Sequence, residues 1–427
     1  MRRLAKTPLV LWLAFIVIHL WLGIMGLVGP GLPWGDVTIV YNDWIQHGLD
    51  GYWVGIDGPF VYPLLALVPM IAAMGFGSSL YGVGWLLLVV IANATVFAFI
   101  LNSRATAEPS DEVAIADRGQ FTPNIRYLAA WWWLAFLLLL GPVALGRIDT
   151  FEVDLVIVGL LLAMRRPAIA GVLLALATWV KVWPAALIVA VVIAAKKRVA
   201  VAVGAAVTAI GVAIIGFLLG AGSNLFSFVS QQTGRGLQIE APVSLPWMWM
   251  AYLRVPGSKV YYDQDILTFQ VKGNGGSIAD FLTTPMLAVA VAAVLVLGVY
   301  VVRSGASITR VLPSLSLALV TALIVFNKVG SPQFMLWISA PVILGIIWQG
   351  REFRQFAVIA AVLGALTQLI YPYLYDWLLS LDPLMLLVLT ARNVLVVVLF
   401  ALAVRSLFRA RVRAKDLAFL PNERVSI

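Results

Sequence analysis

The 427-residue chain has no cysteine, only two histidines, and few charged residues, which make up 11% of it. Without cysteine there is no disulfide, no thiolate chemistry and no cysteine-based zinc site. Two histidines, His19 and His47, do not make a histidine-rich metal site, so no metal is expected. His19 lies in an apolar run, where packing is the expectation. No GxxxxGK[ST] loop is present, so nucleotide-driven transport lacks its usual support. A soluble domain carries about 25% charged and about 45–50% apolar residues. Here 62% are apolar and the mean hydropathy is +0.99. These values exclude a disordered chain and a water-soluble enzyme. What remains is an all-α integral membrane protein, a single polytopic helical bundle.

The 29 Lys and Arg outnumber the 20 Asp and Glu, giving +9. The basic residues gather at Arg2, Arg3 and Lys6, at Arg165–Arg166, Lys196–Arg198, Arg351–Arg354 and Arg405–Lys415. Each cluster abuts an apolar run. That is the positive-inside pattern, and it needs no nucleic acid. Both termini are therefore expected on the cytoplasmic side of a cell membrane. The first run, Leu9 to Val28, is followed by Gly-Pro-Gly-Leu-Pro-Trp-Gly and no small-residue cleavage site. It reads as a retained span rather than a removed signal.

Thirteen apolar runs could enter the membrane: 9–28, 60–75, 81–101, 127–146, 152–164, 167–181, 184–195, 199–221, 283–302, 308–326, 334–349, 355–373 and 384–404. Two cytoplasmic ends require an even number of crossings, so about 12 spans are expected. Runs 60–75, 152–164, 167–181 and 184–195 fall short of the roughly 17–25 residues of a usual span. Basic residues flank 167–195 on both sides, which predicts a hairpin with Lys181 at its tip. The whole chain, 1–427, reads as one transmembrane domain. Segments 29–59 and 222–282 are expected to be extracytoplasmic, and 405–427 a cytoplasmic basic tail. The polar stretch 102–126 has charges that do not fix its side. There is no internal repeat and no low-complexity segment.

Ionisable side chains near a bilayer are costly and are functional candidates by default. Asp36 follows the first span. It reads either as a helix N-cap, with Val37, Val40, Tyr41 and Trp44 on one face, or as a general base at the membrane surface. Asp43 and Asp57 compete with it on the same stretch. Arg147, in Gly146-Arg147-Ile148-Asp149-Thr150, reads either as half of a local Arg–Asp turn or as a group facing a cavity. Glu152 and Asp154 follow. Lys181, Lys328 and Arg392 interrupt apolar surroundings, and Arg235 lies between two glycines. Several cations near a membrane suit a phosphate-bearing lipid. One carboxylate among them suits proton abstraction from a hydroxyl.

In order along the chain stand Gly35-Asp36-Val37 with Tyr41, Phe60-Val61-Tyr62-Pro63, Gly146-Arg147-Ile148-Asp149, Lys181-Val182-Trp183-Pro184 and Asn327-Lys328-Val329-Gly330-Ser331-Pro332-Gln333. This set resembles the glycosyltransferase family 87 proteins of actinobacteria, which have the C-type glycosyltransferase fold. Many relatives carry Gly-Gln-Val-Asn where this chain has Gly146 to Asp149, and a late histidine of some members has no counterpart. The resemblance implies a plasma-membrane enzyme whose site faces the extracytoplasmic side. It implies a hexosyltransferase that moves mannose, with inversion, from a polyprenyl-phosphate donor to a glycolipid acceptor in phosphatidylinositol mannoside or lipoglycan synthesis. Asp36 matches the catalytic aspartate. Arg147, Lys181, Arg235, Lys328, Gln333, Tyr41 and Asp149 are the expected donor-phosphate and substrate contacts. The expected partners are the donor, the acceptor and membrane lipids. The expected form is a monomer without cofactor. Arabinofuranose is the competing donor sugar, and a lipid or small-molecule transporter is the competing class.

Overall fold

The computed structural model describes residues 7–102, 124–233, 235–264 and 266–418. The cluster Arg2, Arg3 and Lys6, nearly all of the polar stretch 102–126 and the last part of the basic tail lie outside the described residues. Within them, eight helical stretches are long and apolar enough to cross a membrane: Pro8–Val28, Ser78–Asn102, Ile125–Ala144, Arg198–Leu218, Gly276–Arg303, Ile308–Val325, Phe334–Tyr373 and Pro383–Arg411. Helices answer the bilayer's demand that every backbone polar group find a partner within its own segment. On the first helix, Leu11, Phe15 and Leu22 are buried while Val17, Leu20 and Trp21 face outward. Its lipid side is as apolar as its packed side, so hydropathy alone does not distinguish the two.

The short runs fold as short elements. Leu64–Phe76 is a broken helix, and 152–164 lies largely within the helix Asp149–Leu162. Pro167–Val180 and Ala185–Ala194 flank Lys181, whose backbone is extended. Lys196, Lys197 and Arg198 share a groove with Ala168 and Val172, so the hairpin returns to the level where it began. Gly171 and Gly204 let Pro167–Val180 pack backbone to backbone against Arg198–Leu218; a Cβ at Gly204 would collide with the carbonyl of Ala168. The last helix, Pro383–Ala418, continues past residue 404 and carries Arg405, Arg409 and Arg411. What reads as a tail in sequence is therefore helical through Ala418.

Two irregular segments sit at the end of the bundle away from these basic clusters. The first holds a π-helix, Asp36–Tyr41, which runs into the helix Asn42–Leu49. The second holds Leu245–Tyr252 and an antiparallel hairpin, β1 Lys259–Asp263 and β2 Thr268–Lys272, with Lys259 opposite Lys272 and Asp263 opposite Thr268. Gln238 bridges to Gln270 at the edge of β2. Leu237, Ile239, Met248 and Val271 pack with Leu386 and Leu389 near the start of the last helix.

Candidate functional site

Trp34 fixes the chain just ahead of Asp36. Its indole lies against Gly26 and Gly146, where any Cβ would overlap the ring. Its Nε1 donates to the carbonyl of Pro142 at 2.8 Å. The first helix and the 141–148 turn are thereby pinned together, and the residues after each pin meet.

What meets is Asp36 and Arg147. Arg147 Nε lies 3.0 Å from Asp36 Oδ2, with the guanidinium buried and the carboxylate side chain 42% exposed. Nε makes no aligned hydrogen bond, so this contact is an ion pair. The other guanidinium nitrogens donate to the carbonyls of Pro33 (3.0 Å) and Gly146 (2.7 Å) and to the Tyr371 hydroxyl (2.9 Å). Burial works against the charge of Arg147, but Asp36, Tyr371 and Tyr41 hold its pKa above the ordinary value. The arginine is thus fixed and charged, and one side of Asp36 remains open. The N-cap reading of Asp36 is overturned. Gly35 occupies that position, no side-chain cap bond forms, and Asp36 is the first residue of the π-helix. Val37, Tyr41, Ile45 and Gly48 are the buried residues of 36–49, and Val40 and Trp44 are half-buried.

A cavity of about 270 Å³ lies nearby, lined by both Lys181 and Lys328 and otherwise mainly by aromatic and aliphatic side chains. Lys181 Nζ is held by the two oxygens of buried Asp149, at 2.7 and 2.8 Å. Trp337 Nε1 donates to Asp149 Oδ1 at 2.7 Å. Trp183 stacks on Trp337 with centroids 5.0 Å apart and donates to Glu152 Oε1 at 2.6 Å. Lys328 Nζ donates to Asp280 Oδ1 at 2.9 Å. Each lysine therefore carries its own carboxylate.

Tyr62 links the two groups. It lines the cavity, and it feels the charges of Lys181, Asp36 and Asp149. Burial raises its phenol above the ordinary value, with Lys181 opposing and Asp36 adding to the shift. Arg235 lies within the field of Tyr62, and burial lowers its pKa. Tyr41 is buried, with its ring 6.4 Å from that of Tyr62. Gln333 is buried beside Phe334 but is not among the residues lining the cavity.

The structure thus gathers Asp36 with Arg147 and Asp149 with Lys181, places Lys181 and Lys328 on one cavity, and sets Tyr41 and Arg235 around Tyr62. Asp43 is exposed and faces His47 at 3.4 Å, while Asp57 accepts from the backbone of Trp53. His19 is packed, bonded to the Phe15 carbonyl and near Asn93. Arg392 donates to the carbonyl of Glu240, away from the cavity. Sequence reasoning missed Asp280, Tyr371, Trp337 and the role of Tyr62. Only Tyr62 left a signal, since it stands within one of the motifs.

A polytopic helical membrane protein with an acid–cation pair beside a lysine-lined apolar cavity is the class this geometry defines. The family model for glycosyltransferase family 87 matches residues 60–332, and the chain belongs to that family. It is a membrane glycosyltransferase. Asp36 precedes the matched stretch, while Arg147, Asp149, Lys181, Arg235 and Lys328 lie within it. Nothing among curated proteins matches the chain, and nothing among solved structures does.

Proposed function

We propose that this glycosyltransferase moves mannose, with inversion, from a polyprenyl monophosphate to a lipid-linked mannoside at the extracytoplasmic face of the plasma membrane. The enzyme works as a monomer of about twelve spans and needs neither metal nor cofactor. The observation that carries this reading is the half-exposed carboxylate of Asp36 held 3.0 Å from a buried, fixed arginine. Asp36 takes the proton of the acceptor hydroxyl as its oxygen attacks C1. The bond from C1 to the phosphate oxygen breaks, and its electron pair leaves on the phosphate. Lys181, Lys328 and Arg235 stabilise that departing anion, which removes the need for the second carboxylic acid of a glycosidase. Tyr41, Gln333 and Asp149 shape and orient the pocket, Asp149 through Lys181.

The test is transfer by purified enzyme in detergent, where vectorial transport has no meaning and only a transferase yields product. Asp36→Asn should lower turnover roughly 10²–10⁴-fold without loss of folded protein. Wild-type turnover in that variant would move the role to Asp43 or Asp57. Offering polyprenyl-phosphate arabinofuranose beside the mannose donor decides the sugar.

A further inference from the structure

The opposite end of the bundle holds a second cavity, of about 690 Å³. Its lining includes Arg310, Arg351, Arg354, Arg405 and Arg409, with Glu352 its one carboxylate among the described residues. Arg310 lies in the first turn of the helix Ile308–Val325 and Lys328 lies beyond its end, so the helix alone sets them about 22 Å apart at 1.5 Å per residue. This cavity is therefore remote from Asp36 and Lys181, and nothing proposed for them bears on it.

The arginines come from separate segments: the first turn of Ile308–Val325, the turn Gly350–Phe353, the start of Arg354–Gln368, and the far part of Pro383–Ala418. The positive-inside rule asks only for basic residues at this level of the membrane. It does not ask five arginines to converge on one cleft. Glu352 lies 3.8 Å from Arg310 and leaves the lining strongly cationic. Gln349 Nε2 donates to the carbonyls of Thr309 (3.1 Å) and Arg310 (3.2 Å), which ties two helix ends into one wall. Gln355 and Ser406 add polar groups, and an apolar wall is formed by Phe356, Val358, Ile359 and Leu402. Val358 is 53% exposed, on the side that such a helix turns to lipid.

We propose that this cleft binds the phosphate headgroup of an anionic phospholipid from the leaflet on the basic side. The guanidinium forks engage the phosphate oxygens in pairs, and an acyl chain runs along Phe356, Val358 and Leu402. Basic pockets between membrane helices are suited to such headgroups. The apolar wall favours a lipid over a soluble phosphate, which gains nothing from it.

Native mass spectrometry of the purified full chain, titrated with phosphatidylglycerol and with phosphatidylcholine, tests this. The wild type should retain the anionic lipid at least about tenfold more tightly. The triple variant R354Q/R405Q/R409Q should lose that preference, and each single variant part of it, which keeps the test decisive if the triple does not fold. A control removing three cations elsewhere, K196Q/K197Q/R198Q, should keep the preference. Millimolar inorganic phosphate should not displace the lipid. Equal binding of both lipids, an equal loss in the control, or displacement by inorganic phosphate would each overturn the proposal, the last by giving the cleft to a soluble anion.

Discussion

Lys181 and Asp149 neutralise each other in the wall of the lysine-lined cavity, through two contacts of 2.7 and 2.8 Å to one Nζ. Removing one partner of a buried pair leaves the other charge uncompensated, at a cost of roughly 3–5 kcal/mol. Asp149→Asn should therefore lower the unfolding temperature in detergent markedly. The double change Lys181→Met with Asp149→Leu should regain much of that stability and still fail to transfer sugar. A thermal unfolding series with activity on the same samples separates the two effects.

Arg147→Gln removes the ion pair to Asp36 and one donor to the Tyr371 hydroxyl. A charge-assisted contact is worth about 1.5–3 kcal/mol, so kcat should fall by about one to two orders of magnitude. KM should move little, because Arg147 acts through Asp36. A rise in KM at constant kcat would assign Arg147 to substrate binding instead.

Lys328 lines the cavity and meets Asp280 at 2.9 Å. Lys328→Met should raise KM for the phosphate-bearing donor, and Lys328→Arg should restore most of it. The acceptor KM should stay unchanged in both. Steady-state kinetics with each substrate varied in turn checks this.

Gly146→Ala forces a methyl group into the Trp34 ring. Overpacking of this kind costs about 1–3 kcal/mol. Because Trp34 sits two residues before Asp36, the variant should lose activity beyond what its lower unfolding temperature explains. Activity measured well below that temperature is the readout.

Glu240 lies outside the membrane helices, and burial raises its pKa above the ordinary 4.5, with the Tyr375 hydroxyl opposing at 2.8 Å. A carboxyl with a raised folded-state pKa binds its proton more tightly when folded. Stability should then fall as pH rises from 4.5 through the folded value, by linkage. Glu240→Gln should flatten that part of the profile. Unfolding temperatures across a pH series give the comparison.

Much of the bundle is legible in the sequence, because a bilayer imposes long apolar runs and one-sided basic clusters. The hairpin at Lys181 is legible for the same reason. The pairing is not. Arg147 and Asp149 stand two apart and read as a local pair, yet one reaches Asp36 and the other Lys181. The bundle sets those partners by bringing together the first helix, the 141–148 turn and the 334–337 helix. Asp280 and Trp337 look like ordinary loop and core residues until packing places them beside a lysine. Helix period could not expose the π-helix at Asp36, since a widened turn leaves no mark in apolar spacing.

The Lys181 hairpin has a consequence in depth. Its arms, Pro167–Val180 and Ala185–Ala194, have 14 and 10 residues, or about 21 and 15 Å at 1.5 Å per residue. A hydrocarbon slab is about 30 Å thick, so neither arm alone is as long as the slab is thick. With the lipid-borne donor proposed above, the sugar would drift in sideways, its tail never leaving the leaflet. Delivery would then be two-dimensional, and the surface density of the carrier, rather than any aqueous concentration, would govern how often the catalyst is loaded.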